Sequence, residues 1–194
     1  MAAEIINDER LGVLSDTHGS LPAWNKALTL FGPEVKTVLH AGDVLYHGPR
    51  NSIPGGYTPA DLAAAINDFA KHEGRIFIAQ GNCDAAVDKM VLDPEINYFV
   101  ALNWKGRKIL MMHGDNFPLL RQLALDSHVD LAITGHTHVA SLVRESGTVF
   151  LNPGSTTIPK GRDPASAALL SAQGIQILTL DGGELHFEKW QDAD

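Results

Sequence analysis

Two aspartates, an asparagine and four histidines are the side chains in this sequence best suited to share metal ions: Asp16, His18, Asp43, Asn82, His113, His136 and His138. Carboxylates, imidazoles and one amide oxygen, with no thiolate among them, suit Mn²⁺, Fe or Zn²⁺ rather than Ca²⁺ or a zinc-finger site. One ion takes about four to six such donors, whereas two ions that share Asp43 use all of them. Two ions held about 3.5–4 Å apart lower the pKa of a trapped water and neutralise phosphoryl oxygens during in-line attack. A metal-bridging hydroxide is then the nucleophile, and no serine or cysteine nucleophile is required. Singly, each residue has a plainer reading: Asp16 as a loop carboxylate, Asn82 as a turn residue, His136 and His138 as a structural pair. Jointly they coincide at five places of one kind, which favours the metal reading.

Those places are the ends of short apolar runs. Leu11 to Leu14 leads into Ser15-Asp16-Thr17-His18-Gly19, and Val35 to Leu39 into Gly42-Asp43. Arg75 to Ala79 leads into Gly81-Asn82-Cys83-Asp84, Lys108 to Met112 into His113-Gly114-Asp115, and Leu131 to Thr134 into Gly135-His136-Thr137-His138. Each run reads as a buried strand. Leu21, Trp24, Leu28 and Phe31 recur at helical spacing behind Ser20 as N-cap, with Pro22 in the first turn. A second helix spans about Ala60 to Lys71, after a Gly- and Pro-rich loop from Tyr46 to Pro59, and a short one covers Leu119 to Leu125. Tyr98 to Leu102 and Lys108 to Met112 form a hairpin around Lys105-Gly106. Beyond Val139 the pattern is strands alone: Ser141 to Arg144, Thr148 to Leu151, Ala167 to Leu170, Ile175 to Leu180 and Leu185 to Trp190. His136 and His138, two apart, are expected on one side of a strand. Strand-helix alternation followed by successive strands implies an α/β architecture of two mixed sheets flanked by helices. In such sheets ligands sit at the carboxyl ends of the strands.

The chain has 194 residues, 44% of them hydrophobic, enough for one sizeable core and read as one domain over residues 1–194. Its net charge of −8 argues against an extended basic surface for nucleic acid. A small phosphorylated substrate remains compatible, because bound cations supply positive charge locally. With a single cysteine, Cys83, no intramolecular disulfide forms, and a reducing compartment fits. No stretch approaches a signal peptide or a membrane span, so a cytoplasmic location is expected.

Asp16-Thr17-His18, Gly42-Asp43, Gly81-Asn82, His113-Gly114 and Gly135-His136-Thr137-His138, in that order, resemble the calcineurin-like metallophosphoesterases. More narrowly, Gly42-Asp43-Val44 with His47-Gly48-Pro49-Arg50-Asn51, Gly81-Asn82-Cys83-Asp84 and Asn152-Pro153-Gly154-Ser155 resemble the bacterial YfcE-type phosphodiesterases. The resemblance implies a four-layer αββα sandwich. It also implies that Asp16, His18, Asp43 and His138 hold one ion, that Asp43, Asn82, His113 and His136 hold the other, and that the chain forms a homo-oligomer. The ions are expected to be Mn²⁺, with Fe, Zn²⁺, Ni²⁺ or Mg²⁺ as alternatives. Many relatives carry a histidine directly after the asparagine, where it protonates the leaving oxygen; here Cys83 takes that place, a poorer partner for an alkoxide. Slow turnover and a preference for good leaving groups follow. Catalytic roles are thus expected of Asp43, Asn82, Cys83 and His138, with His47, Arg50 and Asn51 as a substrate rim. The expected activity is metal-dependent phosphodiester hydrolysis. A phosphomonoesterase is the first alternative; the second is a protein-binding scaffold of the same fold with a degraded metal site, as in the retromer small subunit.

Overall fold

The computed structural model describes residues 3–191. In chain order the elements are β1 (Glu4–Ile6), β2 (Leu11–Leu14), α1 (Leu21–Phe31), β3 (Thr37–His40), α2 (Pro59–His72) and β4 (Arg75–Ala79). Then come α3 (Asp88–Val91), β5 (Ile96–Asn97), β6 (Val100–Trp104), β7 (Arg107–Met111), α4 (Phe117–Asp126) and β8 (Leu131–Ile133). The last five are strands: β9 (Ser141–Glu145), β10 (Thr148–Asn152), β11 (Ser166–Ser171), β12 (Gly174–Thr179) and β13 (Glu184–Lys189). They build a six-stranded sheet of order β1-β6-β7-β8-β10-β9 and a seven-stranded sheet of order β13-β12-β11-β2-β3-β4-β5. Both mix parallel and antiparallel pairs.

Alternation along the strands fixes the layers, because successive side chains leave a strand on opposite faces. In the seven-stranded sheet Leu11, Val13, Leu39, Ala168 and Leu170 point into the central core, while Leu14, Val38, Ala167 and Leu169 meet α1 and α2 outside. In the six-stranded sheet Ile109, Met111, Leu131, Ile133, Val149 and Leu151 face the same central core. Leu110, Ala132 and Phe150 turn out against Leu120 and Ala124 of α4. Helices, sheet, sheet, helix: the expected αββα sandwich is present. Both faces of each central strand are buried, so β2, β3, β8 and β10 show no alternation of apolar and polar residues. Gly12 interrupts β2 because a Cβ there would lie 2.5 Å from the ring of Phe31 on α1. Ser20 caps α1 by accepting from the Ala23 N–H at 3.4 Å, and Pro22 sits in its first turn, as the spacing implied.

Three short elements carry too few residues for a periodic signal: β1, β5 and the single turn α3. The strand expected at Val35 to Leu39 runs instead from Thr37 to His40. Val35 stays outside it, buried against the outer core of the seven-stranded sheet. Strands β2, β3 and β4 run parallel to one another, as do β7 and β8, which brings five carboxyl ends to one end of the sandwich. No helix among the described residues is long and apolar enough to cross a membrane.

Candidate metal centre

Three of the loops that leave those five strand ends, after β2, β3 and β8, adopt a conformation that L-residues avoid. Asp16, His18, Asp43, His136 and His138 have φ of 54°, 43°, 58°, 64° and 59°, five of the eight non-glycine residues with positive φ among those described. Left-handed backbone costs on the order of 1–2 kcal/mol per residue, so surrounding contacts must impose it. They do. Asp16 N–H donates to Gly42 O and His18 N–H to Asp43 O, both at 3.0 Å, and His136 N–H donates to Asp16 Oδ2 at 3.1 Å. His136 and His138 thus stand in a loop beyond β8, which ends at Ile133, and not on one side of a strand as their spacing suggested. The chain turns over between them to aim both rings at the centre.

The side chains meet in two groups joined by Asp43. Asp16 Oδ1 lies 3.1 Å from His138 Nε2, and His18 Nε2 lies 3.2 Å from the same nitrogen. On the other side Asn82 Oδ1 lies 2.7 Å from His136 Nδ1 and 3.2 Å from His113 Nε2. Asp43 reaches both, with Oδ2 3.8 Å from His18 Nε2 and Oδ1 3.5 Å from His113 Nε2. Glycine is required where these loops touch. A Cβ at Gly81 would fall 2.2 Å from Asp43 Oδ1, and one at Gly135 would fall 1.9 Å from Ser15 Oγ.

Proton bookkeeping shows what such a centre wants. His18, His113 and His138 each present Nδ1 to a backbone carbonyl, of Tyr46, Ala41 and Ile158 respectively, at 2.7–2.8 Å. A carbonyl only accepts, so each Nδ1 carries a hydrogen and each ring turns its Nε2 inward. His18 and His138 then bring their Nε2 atoms within 3.2 Å of each other. Asp16 Oδ2 accepts from Ser15 Oγ at 2.6 Å, whereas its buried Oδ1 has no donor at all. Inward-facing imidazole nitrogens beside an orphaned carboxylate oxygen fit a cation. Three sets of donor atoms lie close enough to hold one: Asp16, His18 and His138; Asp16, Asp43 and His113; and His18, Asp43 and Cys83.

The electrostatics agree. Burial alone would raise the carboxyls of Asp16 and Asp43, but the approach of His138 to one and of His113 to the other holds both below the usual carboxylate range. Burial lowers His18, and lowers His136 with help from the charge of His113, so both rings stay neutral at pH 7. Burial also works against a charge on His113, yet Asp43 and Asp16 outweigh it and lift the ring to about 9. A proton there answers the same negative field that a metal ion would.

Cys83 sits beside this centre with its N–H on Asp43 Oδ1 at 2.8 Å, and its thiol is pushed up to about 12 by burial and then by the Asp43 charge. The loop from Tyr46 to Pro59 places Gly48 against the Cys83 sulfur. His47 is half-buried there between the rings of Tyr46 and Tyr57. Arg50 is exposed, and the Asn51 amide is spent on the His47 carbonyl at 2.8 Å, where it braces the loop.

Several residues outside the candidate ligand set shape the centre. Asp84 accepts from Asp43 N–H at 3.0 Å and from Val44 and Gly81 N–H at 2.7 Å, tying two of the loops together. Buried His40 accepts from Gly42 N–H at 3.1 Å and so donates through Nε2 to Thr17 Oγ1, which passes its own hydrogen to Val44 O. Ser155 Oγ donates to Asp16 O, and Asn152 Nδ2 donates to Gly135 O. Asp84 lies in the Gly81-Asn82-Cys83-Asp84 motif, Asn152 and Ser155 in Asn152-Pro153-Gly154-Ser155, and His40 directly before Ala41-Gly42-Asp43, but their partners are set only by the fold.

Residues 10–174 match the family model described as the calcineurin-like phosphoesterase superfamily domain. The chain belongs to that superfamily. By family it is a hydrolase. It is 35% identical over 179 residues to phosphodiesterase YfcE of Escherichia coli K12, covering 89% of this chain and 92% of that one. The solved structure of the E. coli phosphoesterase Yfce superposes with a TM-score of 0.83 at 31% identity, covering 94% of this chain and all of that chain. Vacuolar protein sorting 29 of Cryptosporidium parvum superposes with a TM-score of 0.66 at 19% identity over 95% of this chain and 98% of its own, and shares the fold.

Proposed function

We propose that this chain is a dinuclear, metal-dependent phosphodiesterase that acts on a small diester. In this reading Asp16, His18, Asp43 and His138 hold one divalent cation and Asp43, Asn82, His113 and His136 the other, with Mn²⁺ as the preferred ion. The observation that carries it is the disposition of Asp43, whose two oxygens face different histidines, His18 and His113, at 3.8 and 3.5 Å. The similarity to a protein named as a phosphodiesterase over 89% of the chain adds to it. When bound, the ions supply a water acidic enough to act as nucleophile near neutral pH and positive charge for the phosphoryl oxygens.

The protein's own groups do the rest. Carbonyls of Tyr46, Ala41 and Ile158 hold three imidazoles in the tautomer that leaves Nε2 free. The Cys83 thiol, protonated across the physiological range, is a weak hydrogen-bond donor toward the leaving oxygen. Exposed Arg50 and half-buried His47, on the loop that Asn51 braces, meet the substrate phosphate. The chain works as one domain in a reducing cytoplasm, and as a homo-oligomer.

Rates on a diester and a monoester of 4-nitrophenol with added Mn²⁺ test the assignment. The diester is expected to turn over at least tenfold faster, with about two ions per chain by elemental analysis. Asp43→Ala is expected to lose ions and at least about 10³-fold in kcat. Unchanged metal content and activity in Asp43→Ala would overturn the centre; a faster monoester would favour a phosphomonoesterase, and ions without any hydrolysis a scaffold.

A further inference from the structure

Beside the candidate centre lies an apolar groove of about 610 Å³ between α2, α3 and the Tyr46–Pro59 loop, within the usual size of small-ligand pockets. Tyr46, Tyr57, Ala60, Ala64, Val87 and Val91 face it, and Val87 and Val91 remain 58% and 46% exposed. Of its two other polar side chains, Asn67 is committed at both ends and Asp88 at one oxygen. Asn67 donates to Val91 O and accepts from Asp93 N–H, both at 2.8 Å, and Asp88 accepts from Ala85 N–H at 2.8 Å. An occupant therefore gains contact with aromatic and aliphatic surface and little polar recognition.

The walls of the groove continue the loops of the metal centre. Leu45 and Tyr46 come directly after Asp43-Val44, and the Tyr46 carbonyl accepts from His18 Nδ1 at 2.8 Å. Ala85 comes two residues after Cys83, and the Tyr57 ring lies so close to Gly19 that a Cβ there would be 2.5 Å away. We propose that the groove receives an apolar, aromatic group carried on one alcohol of the diester, so that it sets substrate preference; this rests on the phosphodiesterase reading above. The small side chains of Ala60 and Ala64, one helical turn apart on α2, leave the room that an aryl ring fills.

The test compares kcat/KM for 4-nitrophenyl phenyl phosphate and methyl 4-nitrophenyl phosphate with Mn²⁺. In the native protein the phenyl ester is expected to be preferred at least tenfold. Ala64→Trp, which fills the groove, and Ala60→Glu, which charges it, are each expected to lower that ratio at least tenfold. A ratio that neither variant moves overturns the proposal. So does an unmoved ratio accompanied by a smaller species on size exclusion, which would make the groove a contact between copies of the chain. A native protein inert to both esters would instead overturn the phosphodiesterase reading. The groove is then judged by titrating diphenyl and dimethyl phosphate into Mn²⁺-treated protein: a tenfold preference for diphenyl phosphate that Ala64→Trp abolishes supports it, and equal affinities overturn it.

Discussion

At the residue scale, Cys83 is the side chain whose chemistry departs furthest from that of an imidazole in the same place. Its sulfur holds its proton, being pushed up to about 12 by burial and by Asp43, yet it shares that proton poorly with an oxygen. Good general acids contribute about 10²–10⁴-fold. Cys83→His is accordingly expected to raise kcat at least tenfold on a dialkyl diester, and by less on a 4-nitrophenyl diester whose alcohol departs without help. Steady-state rates on the two esters check this, and equal gains would remove the thiol from the reaction. Buried His40 gives a second expectation, from linkage. Burial lowers its pKa from 6.5 to about 3, so below pH 6.5 the unfolded chain takes up a proton that the folded chain refuses. Stability therefore falls as pH drops from 6.5 toward 3, and His40 adds nothing above that window. Unfolding free energies of the metal-free protein from urea denaturation at pH 7.5 and 4.5 should differ less in His40→Gln, by up to about 3 kcal/mol.

At the scale of elements, legibility in the sequence tracked the length of the repeating signal. Leu21, Trp24, Leu28 and Phe31 announced α1 because its apolar stripe repeats over three turns, and Ser20 marked its start. The runs at Leu11 and Leu131 were readable as strands because both faces are buried. What no local pattern could disclose is how the loops are locked, since the partners lie far apart in sequence. Asp84 binds the backbone of Asp43 and Val44 across about forty residues, and Ser155 binds Asp16 across 139. The candidate ligands could be picked out by type and order, whereas the tautomers of His18, His113 and His138 depend on carbonyls that only the fold brings near. Asp84 is the clamp whose loss should tell most. Asp84→Asn keeps the shape but turns an NH₂ group toward backbone N–H donors. It is expected to cost about 1–3 kcal/mol of stability and at least tenfold in Mn²⁺ affinity, read by urea denaturation and metal titration. Unaltered affinity would mean that the two loops hold their geometry without it.

At the scale of the whole molecule, the candidate centre draws its residues from both sheets. Asp16, His18, Asp43 and Asn82 leave the seven-stranded sheet, whereas His113, His136 and His138 leave the six-stranded one. A cation bound among them bridges two sheets that otherwise meet through apolar contacts such as Leu39, Met111 and Ile133. Binding to the folded chain alone adds about 2.7 kcal/mol at a hundred times Kd, and each kcal/mol moves the Tm of a chain this size by about 2–4 °C. Mn²⁺ over EDTA is thus expected to raise the Tm by about 5–10 °C in the native protein and not in Asp43→Ala, as calorimetry would show.

The five left-handed ligand positions have a consequence for the history open to such a protein. Glycine enters that conformation freely, so exchanging Asp16, His18 or His136 for glycine relieves backbone cost while it deletes a donor. At these positions relief of the backbone and loss of the chemistry go together. Descendants released from selection for activity would be free to exchange these residues for glycine, trading donors for an unstrained backbone.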